Sequence, residues 1–447
     1  MPMFNNKKIF ILGMARSGYE AAKLLVKMNN EIIINDISKE QKKEHVEELE
    51  KLGVKVVLGE HPDDLFVDNF DYLIKNPGIN DDHQYVLRAL KHNVPVINEV
   101  EVAYQLFPDD VTIIGITGSN GKTTTTTIIY EMLKEGGKRV HLTGNIGFPL
   151  CSFIDKVKSG DIIVMEVSIQ QLINVKNFKT NIAVLLNLYE SHLDITGTYE
   201  NYINIKKRIF NYHNKNNYAI LNMDSSDVMS LTKDIESTKL YFSKQQEGIN
   251  GCYLKDKTLY YLKDKIIDLE DIRIKGTHNY ENIMSAILVA KIFNISNEII
   301  RKTLTTFGGV EHRIEYVKEI NGREIYNDSK STNIKAAQMA LLSFERTIVL
   351  LLGGLDRGHS FDGLKDYLSN VKVIIGYGET RERIKSFADD LKIKCEIVET
   401  LEEATKKAYH FSASGDIILL SPACASWDQF KDFEERGKQF KEYIEKL

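Results

Sequence analysis

A glycine-rich loop with one lysine and several threonines is the stretch best suited to chemistry. Residues 112–127 read TIIGITGSNGKTTTTT, an apolar β-branched run, a tight loop and the start of a helix. Glycines let backbone N–H groups approach phosphate oxygens, and a helix N-terminus adds positive potential. Lys122 would reach the β- and γ-phosphates, and the Thr123 hydroxyl would hold magnesium.

The match of this loop to the strict phosphate-loop pattern is imperfect, because Gly115 stands one residue too early. The alternative is an ordinary glycine-rich turn between a strand and a helix. Because a strand precedes the loop and a helix follows it, we expect the loop to bind ATP or GTP.

Two more polar side chains follow apolar runs farther along the chain. Glu166 follows the run 161–165, and His192 comes shortly after the run 182–186. Strands that alternate with helices form a mostly parallel sheet, so these side chains and Lys122 should lie near one edge of it. Glu166 fits a magnesium-linked carboxylate, or else a solvated loop acid. His192 alone would more often be structural, because magnesium prefers oxygen ligands.

The amino-terminal residues 1–99 have the pattern of a Rossmann-like βαβ unit. A buried strand leads into Gly13 to Gly18 and a helix over 19–28, and Asp36 ends the second strand. The glycine loop is GxxxxG instead of GxGxxG, so a hydride cofactor is disfavoured, and another nucleotide or a nucleotide-sugar is favoured. The turn that begins at Asn76 lies at a carboxyl strand end, where open α/β sheets bind ligands.

The central region, 100–309, continues the alternation of strands and helices. Short alternating runs over 239–274 predict a small antiparallel appendage. An amphipathic helix over 283–293 follows, and Asn279 and Asn282 near its start would share one face. They would contact a nucleotide or cap the helix.

The last region, 310–447, predicts a second doubly wound domain. Polar loops follow three parallel-type strands, a pattern that offers a ligand edge. Lys330 and Arg357 in these loops suit an anionic ligand, although surface solvation is the commoner fate of such residues. The fold class is therefore α/β with three domains.

Composition narrows the class of protein. A length of 447 residues suits three domains, and a net charge of −5 argues against nucleic acid as the main partner. The four cysteines form no CxxC pair, so neither a zinc site nor a disulfide framework is expected. No leader and no apolar run near 18 residues is found, so we expect a cytoplasmic protein without membrane insertion.

A set of motifs along the whole chain resembles the Mur ligase family. The motifs are GITGSNGKTTT (115–125), GNIG (144–147), the segment with Glu166, NLYESHLD (187–194), YINIKKRIF (202–210), GTHNYEN (276–282), EHR (311–313), NDSKSTN (327–333), GGLDRG (353–358) and LSPACASWDQFKDFEERG (420–437). NDSKSTN and SPACASWDQF resemble the members that add D-glutamate. The DNPR-type motif of the diaminopimelate-adding members is absent from the sequence.

The resemblance implies which residues form the sites. The first domain would bind the UDP part of the substrate through Arg16, Ser17, Asp36, Asn76 and Gly78. The central domain would bind ATP through Gly118, Ser119, Asn120, Gly121, Lys122, Thr123 and Thr124, and the sugar-peptide substrate through Asn145. Asn279, Asn282, Arg313 and Asp328 would also contact ATP, and Lys330, Thr332, Arg357, Ser426 and Phe433 would line the D-glutamate pocket. Phe433 alone would more often be core.

The resemblance also implies the reaction and its cofactors. ATP would activate the carboxylate of UDP-N-acetylmuramoyl-L-alanine as an acyl phosphate, and the amine of D-glutamate would attack it during peptidoglycan precursor synthesis. Two magnesium ions would be positioned by Thr123, Glu166, His192 and Lys206, the lysine that this family carbamylates with CO2. Lys122, Glu166, His192 and Lys206 would be the catalytic set. We expect a monomer.

The chain departs from the family pattern beside the metal acid. Ile169 replaces a serine and Gln170 an aromatic residue of the usual ELSSFQL, while Ser191 stands where some members carry an acid. Because Glu166 is retained, we expect an active enzyme with altered rate or acceptor affinity. The alternatives are a folyl-polyglutamate or other amino-acid ligase, which would lack this first domain, and a phosphate-loop switch protein, which would not need the third.

Overall fold

Three β-sheets organise the part of the chain that the structure describes. A computed structural model describes residues 3–67, 69–145, 148–191, 193–274 and 276–447. The sheets have five, nine and six strands. The chain forms two compact units, one of Met1–Glu270 with Tyr280–Thr303 and one of Asp271–Asn279 with Leu304–Leu447. The predicted α/β class with three sheets is confirmed, whereas the exact domain boundaries stay a prediction.

The first sheet is parallel throughout and has the order β3-β2-β1-β4-β5. Its strands are β1 (Lys8–Leu12), β2 (Glu31–Asp36), β3 (Lys55–Leu58), β4 (Tyr72–Lys75) and β5 (Val96–Ile97), with helices α1 (Arg16–Val26), α2 (Lys43–Lys51), α3 (Gln84–Lys91) and α4 (Glu99–Tyr104). The strand order reverses between β1 and β4, which is the point where such sheets bind ligands. Helix α1 begins at Arg16, earlier than predicted. A Cβ at position 18 would stand 1.9 Å from the Gly13 carbonyl oxygen, so glycine is needed for this close approach in the first helical turn.

The central sheet has the order β14-β13-β12-β11-β10-β9-β6-β8-β7. Its elements are β6 (Thr112–Thr117), α5 (Lys122–Glu135), β7 (Val140–Gly144), β8 (Ile162–Glu166), α6 (Ile169–Ile173), β9 (Ile182–Leu185), α7 (Leu193–Thr196), α8 (Tyr199–Lys207), β10 (Tyr218–Asn222), α9 (Ser226–Leu231), β11 (Thr238–Ser243), β12 (Gly251–Lys255), β13 (Thr258–Tyr261), β14 (Asp264–Asp268), α10 (Thr277–Ile292) and α11 (Asn297–Thr306). Strands β12 to β14 are antiparallel, and β11 pairs in parallel with β10 and β12. The predicted antiparallel appendage therefore extends the main sheet, and it begins at β12.

The third sheet has the order β15-β16-β20-β17-β18-β19. Its elements are β15 (Glu315–Ile320), β16 (Arg323–Asn327), α12 (Ile334–Leu341), β17 (Ile348–Gly353), β18 (Val371–Tyr377), α13 (Arg381–Asp390), β19 (Lys394–Ile397), α14 (Leu401–Phe411), β20 (Ile417–Leu420) and α15 (Phe433–Glu445). Only the β15–β16 hairpin is antiparallel among these pairs. Short 3-10 helices span Leu150–Lys156, Arg208–Phe210 and Asp362–Tyr367.

Burial of the strands explains their sequences. β8, β9 and β20 are buried along their whole length, as expected of parallel strands covered on both faces by helices. Apart from Glu166, which ends β8, the side chains of these three strands are apolar, and polar side chains follow in the loops at the strand ends. Among the helices formed by described residues, none has the length and apolar content needed to cross a membrane.

Candidate active site

The loop between β6 and α5 is shaped by its glycines. Gly118 and Gly121 have φ angles of +156° and +82°, a region that favours glycine. A Cβ at Gly121 would stand 2.1 Å from Oδ1 of Asn282, which is itself buried. The backbone can therefore approach a phosphate group closely, and Asn282, a predicted nucleotide contact, packs directly against the loop.

Two lysines point into this loop. Nζ of Lys122 donates to the carbonyls of Gly118 at 3.0 Å and Ser119 at 2.9 Å. Nζ of Lys206 donates to the same Gly118 carbonyl at 3.0 Å and to Oγ1 of Thr117 at 3.3 Å. Lys206 is only 2% exposed, and its burial, together with the nearby Lys122 charge, lowers its pKa to about 7. Lys206 is thus an amine that is partly neutral near neutral pH.

Glu166, at the end of β8, is hydrogen-bonded on both carboxylate oxygens. Thr123 donates through Oγ1 to Oε2 at 2.7 Å, and Asn145 donates through Nδ2 to Oε1 at 2.9 Å. The parallel register of β6 and β8 sets Ile116 opposite Glu166, so the acid reaches the first turn of α5. A buried hydroxyl and a buried carboxylate are hard oxygen donors, the type that magnesium prefers.

The remaining predicted metal ligand, His192, lies outside the described residues. Within the ranges that are described, no three His, Cys, Asp or Glu side chains are close enough together to hold a metal ion. The predicted metal ligands with oxygen donors among the described residues are thus Thr123 and Glu166. The other predicted residues of the loop are Ser119, Asn120 and Thr124.

Two residues that the sequence reasoning missed support the loop. Tyr202 on α8 is fully buried; its hydroxyl lies 2.6 Å from Oγ of Ser119, and its ring centroid lies 5.1 Å from Nζ of Lys206. Asn187, after β9, accepts a hydrogen bond from the backbone N–H of Asn120 at 2.8 Å. The spacing of four residues between Tyr202 and Lys206 is a signal that could have identified the tyrosine, because such residues share a helix face.

The predicted UDP-binding residues lie at carboxyl strand ends of the first sheet. Asn76 donates to Oγ of Ser17 at 3.0 Å, and its own Oδ1 accepts the N–H of Gly78 at 3.0 Å. Asp36 accepts the backbone N–H of Met14 at 2.7 Å. The loops after β1, β2 and β4 are therefore linked to one another at this edge. Arg16 is exposed in the first turn of α1.

Asp328 follows β16 and is buried among hydrogen-bond donors. Its carboxylate accepts the hydroxyl of Ser421 at 2.8 Å, the hydroxyl of Ser331, and the N–H of Ile314 at 3.2 Å. Burial raises the pKa of Asp328 to about 6, although these hydrogen bonds oppose the rise. The positive charge of Arg313, the residue before Ile314, also opposes the rise in the pKa of Asp328.

The predicted amino-acid pocket residues lie in loops after β16, β17 and β20, except Phe433, which begins helix α15. Nζ of Lys330 stands 5.7 Å from the ring centroid of half-buried Phe433. The guanidinium carbon of Arg357 stands 4.6 Å from the ring of Trp427. Ser426 is buried, and Thr332 donates its backbone N–H to the Lys330 carbonyl at 2.9 Å.

A buried arginine that the sequence reasoning missed joins these loops. Arg436 on α15 is fully buried and donates to Oγ and the carbonyl oxygen of Ser329 at 2.9 and 2.8 Å, and to the carbonyl of Cys424 at 3.1 Å. It thereby fixes the loop before Lys330 to the loop that carries Ser426. Asn279, in the first turn of α10, donates its backbone N–H to the Gly276 carbonyl at 2.9 Å.

The departures from the family pattern lie on the short helix α6, directly after Glu166. Ile169 is buried in the core, and Gln170 is half-buried. Ser168 and Gln171 form a capping box, with Gln171 accepting the Ser168 N–H at 2.9 Å. The helix start is therefore well formed with the residues present here.

Comparison with protein families covers most of the chain. Residues 7–98 match the model described as Mur ligase MurD-like, N-terminal domain. Residues 116–290 match the Mur ligase middle domain, and residues 312–424 match the Mur ligase, glutamate ligase domain. The chain belongs to the Mur ligase family.

Two curated proteins similar to this Mur ligase carry the same name. The UDP-N-acetylmuramoylalanine–D-glutamate ligases of Bacillus thuringiensis and Bacillus anthracis are each 44% identical to it over 99% of its length and 98% of theirs. Among solved structures, the UDP-N-acetylmuramate-alanine ligase of Thermotoga maritima aligns over 99% of this chain and 100% of its own, with a TM-score of 0.58 and 18% identity. This structural likeness supports the fold.

Proposed function

We propose that this Mur ligase uses ATP to join D-glutamate to the alanine carboxylate of UDP-N-acetylmuramoyl-L-alanine in peptidoglycan precursor synthesis. Relatives that are 44% identical over 99% of the chain are named as ligases of this type. The observation that carries the proposal is the hydrogen bond from Thr123 to Glu166 within a phosphate loop, because it joins a nucleotide cradle to a buried acid.

In the proposed reaction, an oxygen of the alanine carboxylate attacks the γ-phosphorus of ATP and ADP leaves. The amine of D-glutamate then attacks the acyl phosphate, an amide C–N bond forms, phosphate leaves, and the amine loses a proton. Lys122, which donates to two carbonyls of its own loop, would bind the β- and γ-phosphates.

The oxygen donors of this loop fit magnesium, whereas the nearby Lys206 ammonium does not. Thr123 and Glu166 would hold the ion, and bound magnesium would neutralise charge on the transferred phosphoryl group. A Lys206 ammonium does not fit beside a cation. We propose that its neutral amine adds to CO2, forming an N–C bond and releasing a proton, to give a carbamate that joins His192 in positioning two ions.

The other predicted site residues are assigned by the same proposal. The UDP group would bind at the first sheet, near Arg16, Ser17, Asp36, Asn76 and Gly78, and Asn145 would contact the sugar-peptide. D-Glutamate would bind beside Lys330, Thr332, Arg357, Ser426 and Phe433, while Asn279, Asn282, Arg313 and Asp328 would contact ATP. The corresponding domains are residues 1–99, 100–309 and 310–447.

Phosphate release tests the proposal directly. The protein is incubated with ATP, magnesium and UDP-N-acetylmuramoyl-L-alanine, and D-glutamate, L-glutamate, L-lysine or meso-diaminopimelate is added separately. We expect release that requires both the nucleotide-sugar acceptor and D-glutamate. Release with another amino acid would overturn the assigned specificity, and acceptor-independent ATP hydrolysis would favour a switch protein.

A further inference from the structure

The side chain of Trp427 is unusually exposed for a tryptophan. It is 62% exposed and is the chain's sole tryptophan. It lies in the loop after β20, and the ring faces the guanidinium group of Arg357, in the loop after β17, at 4.6 Å. β17 and β20 are paired in parallel, with Leu351 opposite Leu420, so the two loops leave the same sheet edge side by side.

Stacking on an indole face has a specific chemical consequence for an arginine. The positive charge is attracted to the ring face, while the N–H donors lie in the guanidinium plane and stay available. Those donors match a carboxylate bidentately. Among the described residues no carboxylate forms an ion pair with Arg357, and the adjacent Asp356 is paired with Arg383.

We propose that Trp427 is a positioning residue that holds Arg357 with its N–H edge directed at a carboxylate of the amino-acid substrate. The inference rests on the proposed function, since it concerns the same amino-acid pocket. It parallels the arrangement of Lys330 on Phe433, at 5.7 Å, where a cation of this pocket also lies over an aromatic ring. Without the indole, Arg357 would sample many rotamers, and binding the substrate would have to order it.

The test compares steady-state kinetics of Trp427→Leu and Trp427→Phe with the unaltered enzyme. For Trp427→Leu we expect the KM for D-glutamate to rise roughly 5- to 20-fold with kcat within about two-fold, and the KM values for ATP and the nucleotide-sugar to be unchanged. Trp427→Phe restores most of the affinity because it keeps a ring face. Tyr409→Leu is the control. Tyr409 also stacks on an arginine, with its ring centroid 4.8 Å from the guanidinium carbon of Arg323, but neither residue belongs to this pocket.

A double variant separates positioning from direct contact. In an Arg357→Met background, Trp427→Leu should add little to the KM for D-glutamate, because the residue that it positions is already gone. An unchanged KM in the single variant, or fully additive effects in the double variant, would overturn the proposal. Because the unaltered enzyme is assayed first, absence of D-glutamate-dependent phosphate release there would count against the proposed function instead. The emission of Trp427, titrated with D-glutamate, gives a second readout that should change on binding.

Discussion

The side-chain nitrogens of Lys122 and Lys206 donate to one acceptor, the carbonyl oxygen of Gly118, each at 3.0 Å. Two ammonium groups at one oxygen repel each other, and the more buried group is the one that yields its proton more readily. Burial and the Lys122 charge accordingly lower the pKa of Lys206 to about 7. A lysine with this pKa has a neutral amine in part near pH 7, which is the form that the proposed carbamylation requires.

Removal of Lys206 should abolish most ligase activity. We expect Lys206→Ala to lower kcat on the order of 100-fold or more, because the proposed carbamate, an anionic oxygen ligand near the phosphoryl group, could no longer form. Added formate or acetate should restore part of the rate by supplying a carboxylate in the vacated space. Lys207→Ala, one residue away on α8, is the matched control. Full activity in Lys206→Ala would contradict a catalytic role, and lack of any rescue would argue against the carbamate.

The hydroxyl of Thr123 should be needed for the response to magnesium. Thr123→Ala removes the donor to Glu166 and should lower kcat about 100-fold and raise the magnesium concentration needed for half-maximal rate. Thr123→Ser keeps the hydroxyl and should retain most activity. Thr127 donates to the Thr123 carbonyl at 2.8 Å one turn farther along α5, so Thr127→Ala tests for general helix damage. Equal losses in Thr123→Ala and Thr127→Ala would contradict a metal-linked role.

Tyr202 should hold the phosphate loop in its binding conformation. Tyr202→Phe deletes the hydroxyl that contacts Ser119 but keeps the ring beside Lys206. We expect a loss of about 1 kcal/mol in the free energy of unfolding and a rise of about 5-fold in the KM for ATP. Urea unfolding and ATP kinetics measure the two effects. A stability loss with an unchanged KM would mean that the hydroxyl is purely structural.

The sequence predicts the parts of this site that depend on local pattern. A glycine-rich loop after a β-branched run, and an acid at the end of the next buried strand, place Lys122, Thr123 and Glu166 at one sheet edge. Asn187 and Arg436 could not be predicted in this way, because their hydrogen bonds join elements that only the folded register brings together. The parallel pairing of β11 with β10 and β12 could not be predicted for the same reason, since nothing in the local sequence separates this strand from the antiparallel strands that follow it.

Ile169, where the family pattern has serine, should be important for stability. It is 2% exposed and packs in the core beside Val167 and Leu172. We expect Ile169→Ser to lower the free energy of unfolding by about 3 kcal/mol, because it leaves a cavity and buries a hydroxyl. Gln170→Ser on the half-buried side of α6 is the control and should change stability little. A faster enzyme without loss of stability would mean that the isoleucine lowers the catalytic rate instead.

Glu99 should make stability depend on pH. Its carboxylate is buried and accepts the backbone N–H of Cys151 at 2.5 Å, and burial raises its pKa from 4.5 to about 7. Between these two values the folded chain binds a proton that the unfolded chain has lost. The stability contributed by this group therefore falls as pH rises from about 4.5 to about 7, and it stays low above that range.

Replacement by an uncharged isostere should remove this dependence. Glu99→Gln keeps an oxygen to accept the Cys151 N–H and carries no charge at any pH. We expect it to match the unaltered chain near pH 4.5 and to be more stable by up to about 3 kcal/mol at pH 8. Chemical denaturation at several pH values measures the difference in the free energy of unfolding between the two proteins. The other carboxylates titrate alike in both proteins, so their effects cancel in this difference. A difference that is constant across pH would show that Glu99 keeps its ordinary pKa in the folded chain.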